Sequence, residues 1–284
     1  HGSRTHDSKT LVPNLYKLMN RADSLGMLTS QGKLLKSQID SIYQRMNHRW
    51  GDLTPLGAQQ HRDMARRMYN RFRPAFTPQD GRVNLIAQST TVPRSMASMA
   101  AFVAEMRGYT PEADFYMDPS NGYDNTLRPF NSKDYKQYLA KGSWKSVLKE
   151  YQTRHTPTRL IDQTFKKGWK ELIPNPVTFM THLYALAMIL PNTDYGIDLF
   201  PWFTEDEKYD LWSVNNLSQY LRKANYPDGQ GLPVAIAKPL LADMLATSQA
   251  AVDGNGIEAN LRFAHGENCL LYTSPSPRDR TRSR

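Results

Sequence analysis

The feature that most constrains the fold is a strand, a helix and a second strand that follow one another between residues 82 and 118. Residues 82–88 alternate in character and contain Val, Leu and Ile, which favours a β-strand. Pro93 precedes a helical pattern over residues 94–107, and residues 114–118 suit a short strand. Such alternation of helices and strands is typical of an α/β domain.

The segments on either side extend this pattern. Thr54 and Pro55 mark the start of a helix whose apolar residues continue to Phe72, and Pro74 is expected to end it. Residues 131–225 are mostly helical in pattern, residues 232–250 form a further helical pattern with two prolines, and residues 257–265 alternate like a strand. We therefore predict an α/β core (1–118 and 232–268) with a mostly helical cap inserted over 119–231.

Composition excludes several classes of protein. Five Trp, 15 Tyr and 10 Phe residues argue against wholesale disorder, and no apolar run approaches the length of a membrane span. The single cysteine, Cys269, excludes an internal disulfide and any multi-cysteine metal site. The net charge of +9 suggests an anionic partner, which can be nucleic acid, a membrane surface or a phosphorylated small molecule. Residues 269–284 are expected to be a disordered tail foreign to the fold.

Residues that could carry chemistry lie at three separate places. His1 and Arg4 stand at the start, Arg94 at a strand-to-helix junction, and His265 and Glu267 just after the last predicted strand. Ligands of an α/β sheet bind at the carboxyl ends of its strands. Together these residues suit phosphoryl transfer: an imidazole attacks phosphorus, guanidinium groups bind its oxygens and a carboxylic acid protonates the leaving oxygen. Each residue alone also fits a solvated charge or an ordinary turn.

Four ordered segments resemble the histidine acid phosphatases. His1-Gly2-Ser3-Arg4 is similar to the R-H-G-x-R signature, residues 53–59 to L-T-x-x-G-x-x-Q, and residues 89–102 to the segment that holds a later phosphate-binding Arg. His265-Gly266-Glu267 resembles the H-A-E motif of the multiple inositol polyphosphate phosphatase branch, which dephosphorylates phytate. Residues 127–130 are similar to the L-R-F-F segment of that branch.

The resemblance implies a role for each matching residue. His1 would be the nucleophile that forms a phosphohistidine, and Glu267 would protonate the leaving inositol oxygen and then activate water. The transferred phosphate would be bound by Arg4, Arg94 and His265. Arg128 and His6 are further candidates for substrate contacts. The fold would be a histidine-phosphatase-like α/β core with a helical cap, no metal or other cofactor would be needed, and the enzyme would be periplasmic or extracellular.

The sequence also departs from the pattern. The Arg that should precede His1 is absent, His6 replaces a Pro, Gly266 replaces Ala, and the match ends near Cys269. We therefore expect a fragment truncated at both ends, and its own activity remains to be tested. Two alternatives stay open: a histidine phosphatase for sugar phosphates and other simple phosphomonoesters, and a non-catalytic basic module for anions. We favour a phosphorylated small molecule over nucleic acid or a membrane as the partner; the oligomeric state stays open.

Overall fold

A computed structural model of the chain describes residues 1–77 and 83–268. Its strands are β1 (Asn84–Ser89), β2 (Asp114–Pro119) and β3 (Ala259–Phe263). Its helices are α1 (Leu11–Ser24), α2 (Ser30–Met46), α3 (Pro55–Arg71), α4 (Arg73–Phe76), α5 (Pro93–Tyr109), α6 (Asp124–Leu127), α7 (Lys133–Lys141), α8 (Trp144–His155), α9 (Arg159–Thr164), α10 (Pro176–Ile189), α11 (Glu205–Lys223), α12 (Leu232–Ala235) and α13 (Lys238–Val252).

The three strands form one parallel sheet in the order β2-β1-β3. Ser89, the last residue of β1, lies opposite Pro119 of β2 and Phe263 of β3. All three strands therefore end at the same level. The segments that follow Ser89, Pro119 and Phe263 start from one edge of the sheet, which is where an α/β sheet binds its ligands.

The chain divides into two compact units by its internal contacts. The first, here called the sheet unit, consists of His1–Gly2, Gly57–Trp144 and the described residues from Gln219 onward. The second, the helical unit, consists of Ser3–Leu56 and Lys145–Ser218. These boundaries differ from those of the core and cap expected from the sequence, and that domain division stays a prediction.

Each unit has its own apolar core. In the sheet unit, Leu85 and Ala87 of β1 alternate with more exposed neighbours, so one face of the strand is buried, as expected for a period of two residues. Phe102 and Met106 of α5 belong to the same core. The core of the helical unit is formed mainly by α1, α2, α9 and α10, and includes Leu15, Ile39, Leu160, Met180 and Leu183. Burial of this apolar surface is the main stabilising contribution in each unit.

The α/β class, the three strands and the helices at 55–71 and 93–109 are confirmed. Two details differ. The helix that begins at Pro55 ends at Arg71, before Pro74 as expected, but Pro74 lies in a further short helix, α4, because proline is tolerated in the first turn of a helix. The pattern at 232–250 is two helices, α12 and α13, and the second proline of this stretch, Pro239, lies in the first turn of α13 for the same reason.

Some parts of the chain were not predicted from the sequence, and some predictions lie outside the described residues. The helices α1 and α2 were not predicted, since the sequence analysis assigned no structure to residues 1–53. Arg82, the predicted start of the first strand, and the predicted tail from Cys269 lie outside the described residues. Within residues 1–77 and 83–268, no helix combines the length and apolar character needed to cross a bilayer.

Candidate active site

The carboxyl edge of the sheet carries Arg94, His265 and Glu267. Arg94 is the second residue of α5, which begins four residues after β1 ends. His265 follows β3 by two residues, and residues 266–268 turn into a helical conformation. Because Ser89 and Phe263 are paired in register, the segments that hold Arg94 and His265 leave the sheet side by side. The in-register alignment of β1 with β3 therefore explains why the segments that hold Arg94 and His265, which were predicted to come together, lie side by side.

His1 is attached to the same edge by a backbone hydrogen bond. Its α-amino nitrogen donates to the carbonyl oxygen of Ala264 at 2.8 Å, 263 residues along the chain. The imidazole rings of His1 and His265 then meet edge to face, with centroids 5.4 Å apart and an interplanar angle of 74°. The structure thus brings together two histidines that lie at opposite ends of the described chain.

The tautomer of the His1 ring follows from its contact with the carbonyl oxygen of Gly2. Nδ1 of the ring lies 3.0 Å from the carbonyl oxygen of Gly2. A carbonyl oxygen can only accept a hydrogen bond, so Nδ1 carries the proton and donates it. The lone pair of the neutral ring is then on Nε2, which is the atom that a nucleophilic histidine uses in this tautomer.

Gly2 holds His1 in place through contacts that leave no room for a side chain. A Cβ on Gly2 would stand 2.4 Å from the carbonyl oxygen of Gly57 and 2.7 Å from its Cα, near the start of α3. The N–H of Gly2 donates to Ser98 Oγ at 3.1 Å, and Ser98 Oγ donates to the carbonyl oxygen of Arg94 at 2.8 Å. Ser98 is fully buried, so this short chain of hydrogen bonds links His1 to the start of α5.

His265 is buried and neutral. Its side chain is among the least exposed polar groups, at 3%, and Nε2 lies 3.2 Å from Thr90 Oγ1. Burial, followed by the positive charge of Arg94, lowers the pKa of His265 to about 4. A neutral imidazole beside an arginine is suited to hydrogen bonding with a phosphate oxygen.

Arg128 contacts His265 indirectly, through the aromatic ring of Phe130. Its guanidinium group packs over Phe130, 5.6 Å from the ring centroid, and Phe130 in turn meets the ring of His265 edge to face at 5.4 Å. The Nε of Arg128 is buried and has no hydrogen-bond partner among the described residues. The charge of Arg128 also contributes to the lowered pKa of His265. Arg128 therefore lies close to His265, and its part in substrate binding stays a prediction.

Glu267 is paired with a residue that the sequence analysis did not single out. Lys223 Nζ, at the end of α11, lies 3.1 Å from Glu267 Oε1. Burial raises the pKa of Glu267, but the Lys223 ammonium and the backbone N–H of Glu267 outweigh burial and hold it below its ordinary value. The carboxyl is consequently ionised at neutral pH, and protonation requires acid conditions.

Arg4 and His6 lie in the helical unit. Arg4 forms an ion pair with Asp7 at 3.2 Å and donates from Nη1 to the carbonyl oxygen of Thr5. Nδ1 of His6 accepts a hydrogen bond from the backbone N–H of Ser8 at 3.0 Å, and burial lowers the pKa of His6. Their parts in phosphate and substrate binding stay predictions.

A cavity of about 620 Å³ adjoins His1 and His265 within the sheet unit. Its other walls come largely from α3 and α13, and Met64, Leu240 and Met244 make them largely apolar. Arg94, Arg128 and Glu267 do not line it. The cavity therefore adjoins the two histidines but not the other candidate site residues. The described residues contain no group of three His, Cys, Asp or Glu side chains that could hold a metal ion.

Four contacting residues were missed or given no role by the sequence analysis. Lys223 lies 44 residues before Glu267, and no local motif connects the two. Thr90 and Ser98 belong to the motif-bearing segment at 89–102, and Phe130 to the segment at 127–130, but residue type alone did not indicate what they contact. Only the pairing of distant segments identifies these partners.

Comparison with solved structures places this fold among those of phosphatases. The multiple inositol polyphosphate phosphatase of Bifidobacterium longum, in complex with inositol hexasulfate, matches with a TM-score of 0.80 over 96% of this chain and 73% of its own, at 18% sequence identity. The complex of that protein with phosphate gives a TM-score of 0.79, covering 71% of its chain at the same identity. The phytase from D. castellii gives 0.67 over 96% of this chain and 59% of its own, at 14% identity.

At these identities the similarity establishes the fold. The chain has the fold of inositol polyphosphate phosphatase and phytase structures, and in this respect the sequence resemblance is confirmed. No protein-family model and no curated protein sequence matches the chain.

Proposed function

We propose that this chain is a histidine-type phosphatase that hydrolyses phosphomonoesters of inositol polyphosphates such as phytate. The observation that carries the proposal is the meeting of His1 and His265 at the carboxyl edge of the sheet, with Nδ1 of His1 bound to a carbonyl oxygen. The similarity to solved phosphatase structures supports the same activity class.

The proposed reaction has two steps. In the first, Nε2 of His1 attacks phosphorus, the bond from phosphorus to the ester oxygen breaks, and Glu267 gives its proton to that oxygen. In the second, Glu267 takes a proton from a water molecule, the water oxygen attacks phosphorus, and the bond to Nε2 breaks. Inorganic phosphate leaves, and His1 and the protonated Glu267 are restored.

Charge on the transferred phosphate would be stabilised by Arg94 and His265. A guanidinium group matches the geometry of phosphate oxygens, and a preorganised donor is most effective where charge is buried. The resemblance assigns Arg4 to the same phosphate, and Arg128 and His6 to the rest of the substrate. The α/β core with a helical cap, and export to the periplasm or outside the cell, belong to the same proposal.

An inositol polyphosphate is favoured over a simple phosphomonoester by two observations. In the sheet unit, Arg94 and Arg128 both act on His265, so two cationic side chains besides the Lys223–Glu267 ion pair can serve a substrate that carries several phosphates. The solved Bifidobacterium protein is a complex with inositol hexasulfate, a molecule with many anionic groups. A strong preference for a sugar phosphate over phytate would favour the simpler alternative.

Phosphate release by the 284-residue chain tests the proposal. We expect release from phytate, a smaller rate with glucose 6-phosphate, and a loss of at least about 100-fold in His1→Ala. His48→Asn is the matched control, because His48 is exposed and its φ of 62° suits asparagine. Equal rates for His1→Ala and the unaltered chain would refute the assignment of the nucleophile.

A further inference from the structure

We propose that Lys223 is a positioning residue of this site, whose ammonium group fixes the Glu267 carboxyl and sets the pH range in which that carboxyl can donate a proton. The inference rests on the proposed function, since it concerns the same proton donor. It adds a residue that none of the sequence motifs contains.

The ion pair is well placed to hold the carboxyl. Lys223 Nζ and Glu267 Oε1 are 3.1 Å apart, and the two side chains are only 17% and 30% exposed. Salt and water screen such a pair less than one on the open surface. Lys223 is also the last residue of α11, where a positive charge is stabilised by the helix dipole.

Both partners are attached to fixed backbone. On the lysine side, Tyr135 Oη donates to the carbonyl oxygen of Arg222 at 2.8 Å, and Tyr138 Oη donates to that of Leu221 at 2.5 Å. These bonds tie the end of α11 to α7. The backbone that carries Lys223 is therefore already fixed when its side chain forms the pair.

On the glutamate side, Asn268 fixes the turn that carries the carboxyl. Its backbone N–H donates to the carbonyl oxygen of His265 at 3.1 Å, and its Nδ2 donates to that of Leu127 at 3.0 Å. The side chain of Asn268 is 3% exposed. The position of Glu267 is thus fixed by its own turn and by the ammonium group together.

The charged and titratable groups around Glu267 come from three elements. Lys223 faces it from α11, Tyr135 acts on it from α7, and His265 lies on its own turn. Arg94 and Arg128 act on His265. Lys223 is the cation that forms an ion pair with Glu267 among the described residues.

A consequence for the proposed reaction follows. Burial alone would raise the pKa of the carboxyl, but Lys223 contributes to holding that pKa below its ordinary value, so the carboxyl is ionised at neutral pH. Glu267 can then act as an acid only at low pH, or when a bound phosphate adds negative charge beside it and competes for the ammonium group. Removal of the Lys223 charge should therefore extend proton donation to higher pH and loosen the carboxyl.

Carbon-13 NMR titration of the Glu267 carboxyl tests the inference without requiring activity. The resonance is assigned by its loss in Glu267→Gln. We expect the pKa to rise by about one pH unit or more in Lys223→Met, to stay low in Lys223→Arg, and to be unchanged in Lys149→Met, a matched control at an exposed lysine. Addition of inorganic phosphate to the unaltered chain should raise the pKa of Glu267.

An unchanged pKa of Glu267 in folded Lys223→Met would overturn the inference. Should that variant not fold, Lys223→Gln is titrated in its place against the same expectation. The pH profile of kcat/KM on phytate gives a second readout, since its alkaline limb reports the free acid and should move to higher pH in Lys223→Met. If the pKa of Glu267 shifts in Lys223→Met but the chain releases no phosphate, Lys223 is still the group that sets this pKa. The proposed phosphatase activity would then be refuted.

Discussion

Gly2 and Gly266 lie next to the two candidate phosphate-site histidines, yet their surroundings differ completely. A Cβ on Gly2 would collide with the backbone of Gly57 at 2.4 Å, whereas a Cβ on Gly266 would meet nothing within 4 Å. The histidine next to each glycine is positioned by backbone atoms, so a displaced backbone moves the ring. Glycine at residue 2 is therefore a packing requirement, while glycine at residue 266 is not.

We predict that Gly2→Ala abolishes most phosphate release and lowers the melting temperature. Gly266→Ala, which creates the H-A-E form of the resembling family, should retain both. Thermal unfolding and phosphate release from phytate measure the two effects. Equal behaviour of the two variants would contradict the packing argument at Gly2.

The two buried histidines of the sheet unit, His61 and His265, should make the free energy of unfolding depend on pH. Burial is the main cause that lowers the pKa of His61, and of His265, to about 4. Both values lie below the 6.5 of an unfolded chain, so the unfolded state binds more protons between pH 4 and 6.5. The stabilising contribution is complete above pH 6.5 and is lost as the pH falls toward 4.

We expect urea titrations to give a lower free energy of unfolding at pH 5 than at pH 7.5. The loss should be roughly 1–2 kcal/mol for each histidine, from 1.36 kcal/mol per pKa unit. His61→Leu removes one proton site and should reduce the loss. A free energy of unfolding that is constant over this pH range would contradict the buried, neutral state of both rings.

At the scale of elements, β2 shows how burial decides the cost of a substitution. Phe115 and Tyr116 are neighbours on this strand, and they are 7% and 62% exposed. Phe115 packs into the core that β1 and α5 share, while Tyr116 points away from it. The strand is at the edge of the sheet, so its attachment depends on one partner strand and this one buried face.

Phe115→Ala should lower the free energy of unfolding by about 3–4 kcal/mol, because it removes a buried aromatic ring and leaves a cavity. Tyr116→Ala should change it by less than about 1 kcal/mol. Urea denaturation of both variants measures the difference. Similar losses for the two would show that the burial pattern of β2 is not as described.

Some helices and strands could be predicted from local sequence patterns, and others could not. The strands at 84–89 and 114–119 and the helix α5 have strong local patterns and contain few breaks, so periodicity was sufficient to find them. The division between α12 and α13 required knowing that Pro239 begins a helix and does not interrupt one. The order β2-β1-β3 depends on pairing between residues about 170 apart, which no local pattern contains.

For the whole molecule, the candidate site was predictable as a set of residues but not as an arrangement. Three motifs pointed to His1, Arg94, His265 and Glu267, and the structure brings His1 and His265 into contact and places Arg94 and Glu267 close enough to His265 to act on its charge. The hydrogen bond from His1 to Ala264 and the ion pair of Glu267 with Lys223 join segments that are far apart in sequence. Such contacts follow from the fold and not from any spacing of residues.

The net charge of the whole chain gives a prediction that separates catalysis from non-specific binding. Residues 273–284 contain four Arg and one Asp, which is +3 of the total +9. Their deletion should leave phytate hydrolysis unchanged, because the proposed site uses residues 1–268. Any salt-dependent DNA binding, measured by fluorescence anisotropy, should disappear with the deletion. DNA binding that persists without these residues would favour the basic binding module.

The central claim, that His1 becomes phosphorylated, is tested most directly by trapping the intermediate. Glu267→Gln lacks the group that activates water, and p-nitrophenyl phosphate has a leaving group that needs no proton, so the phosphoryl enzyme should accumulate. Mass spectrometric peptide mapping after an alkaline quench should find the phosphoryl group on His1, and none in the double variant His1→Ala, Glu267→Gln. A phosphoryl group on another residue, or turnover of the substrate with His1 left unmodified, would contradict the mechanism.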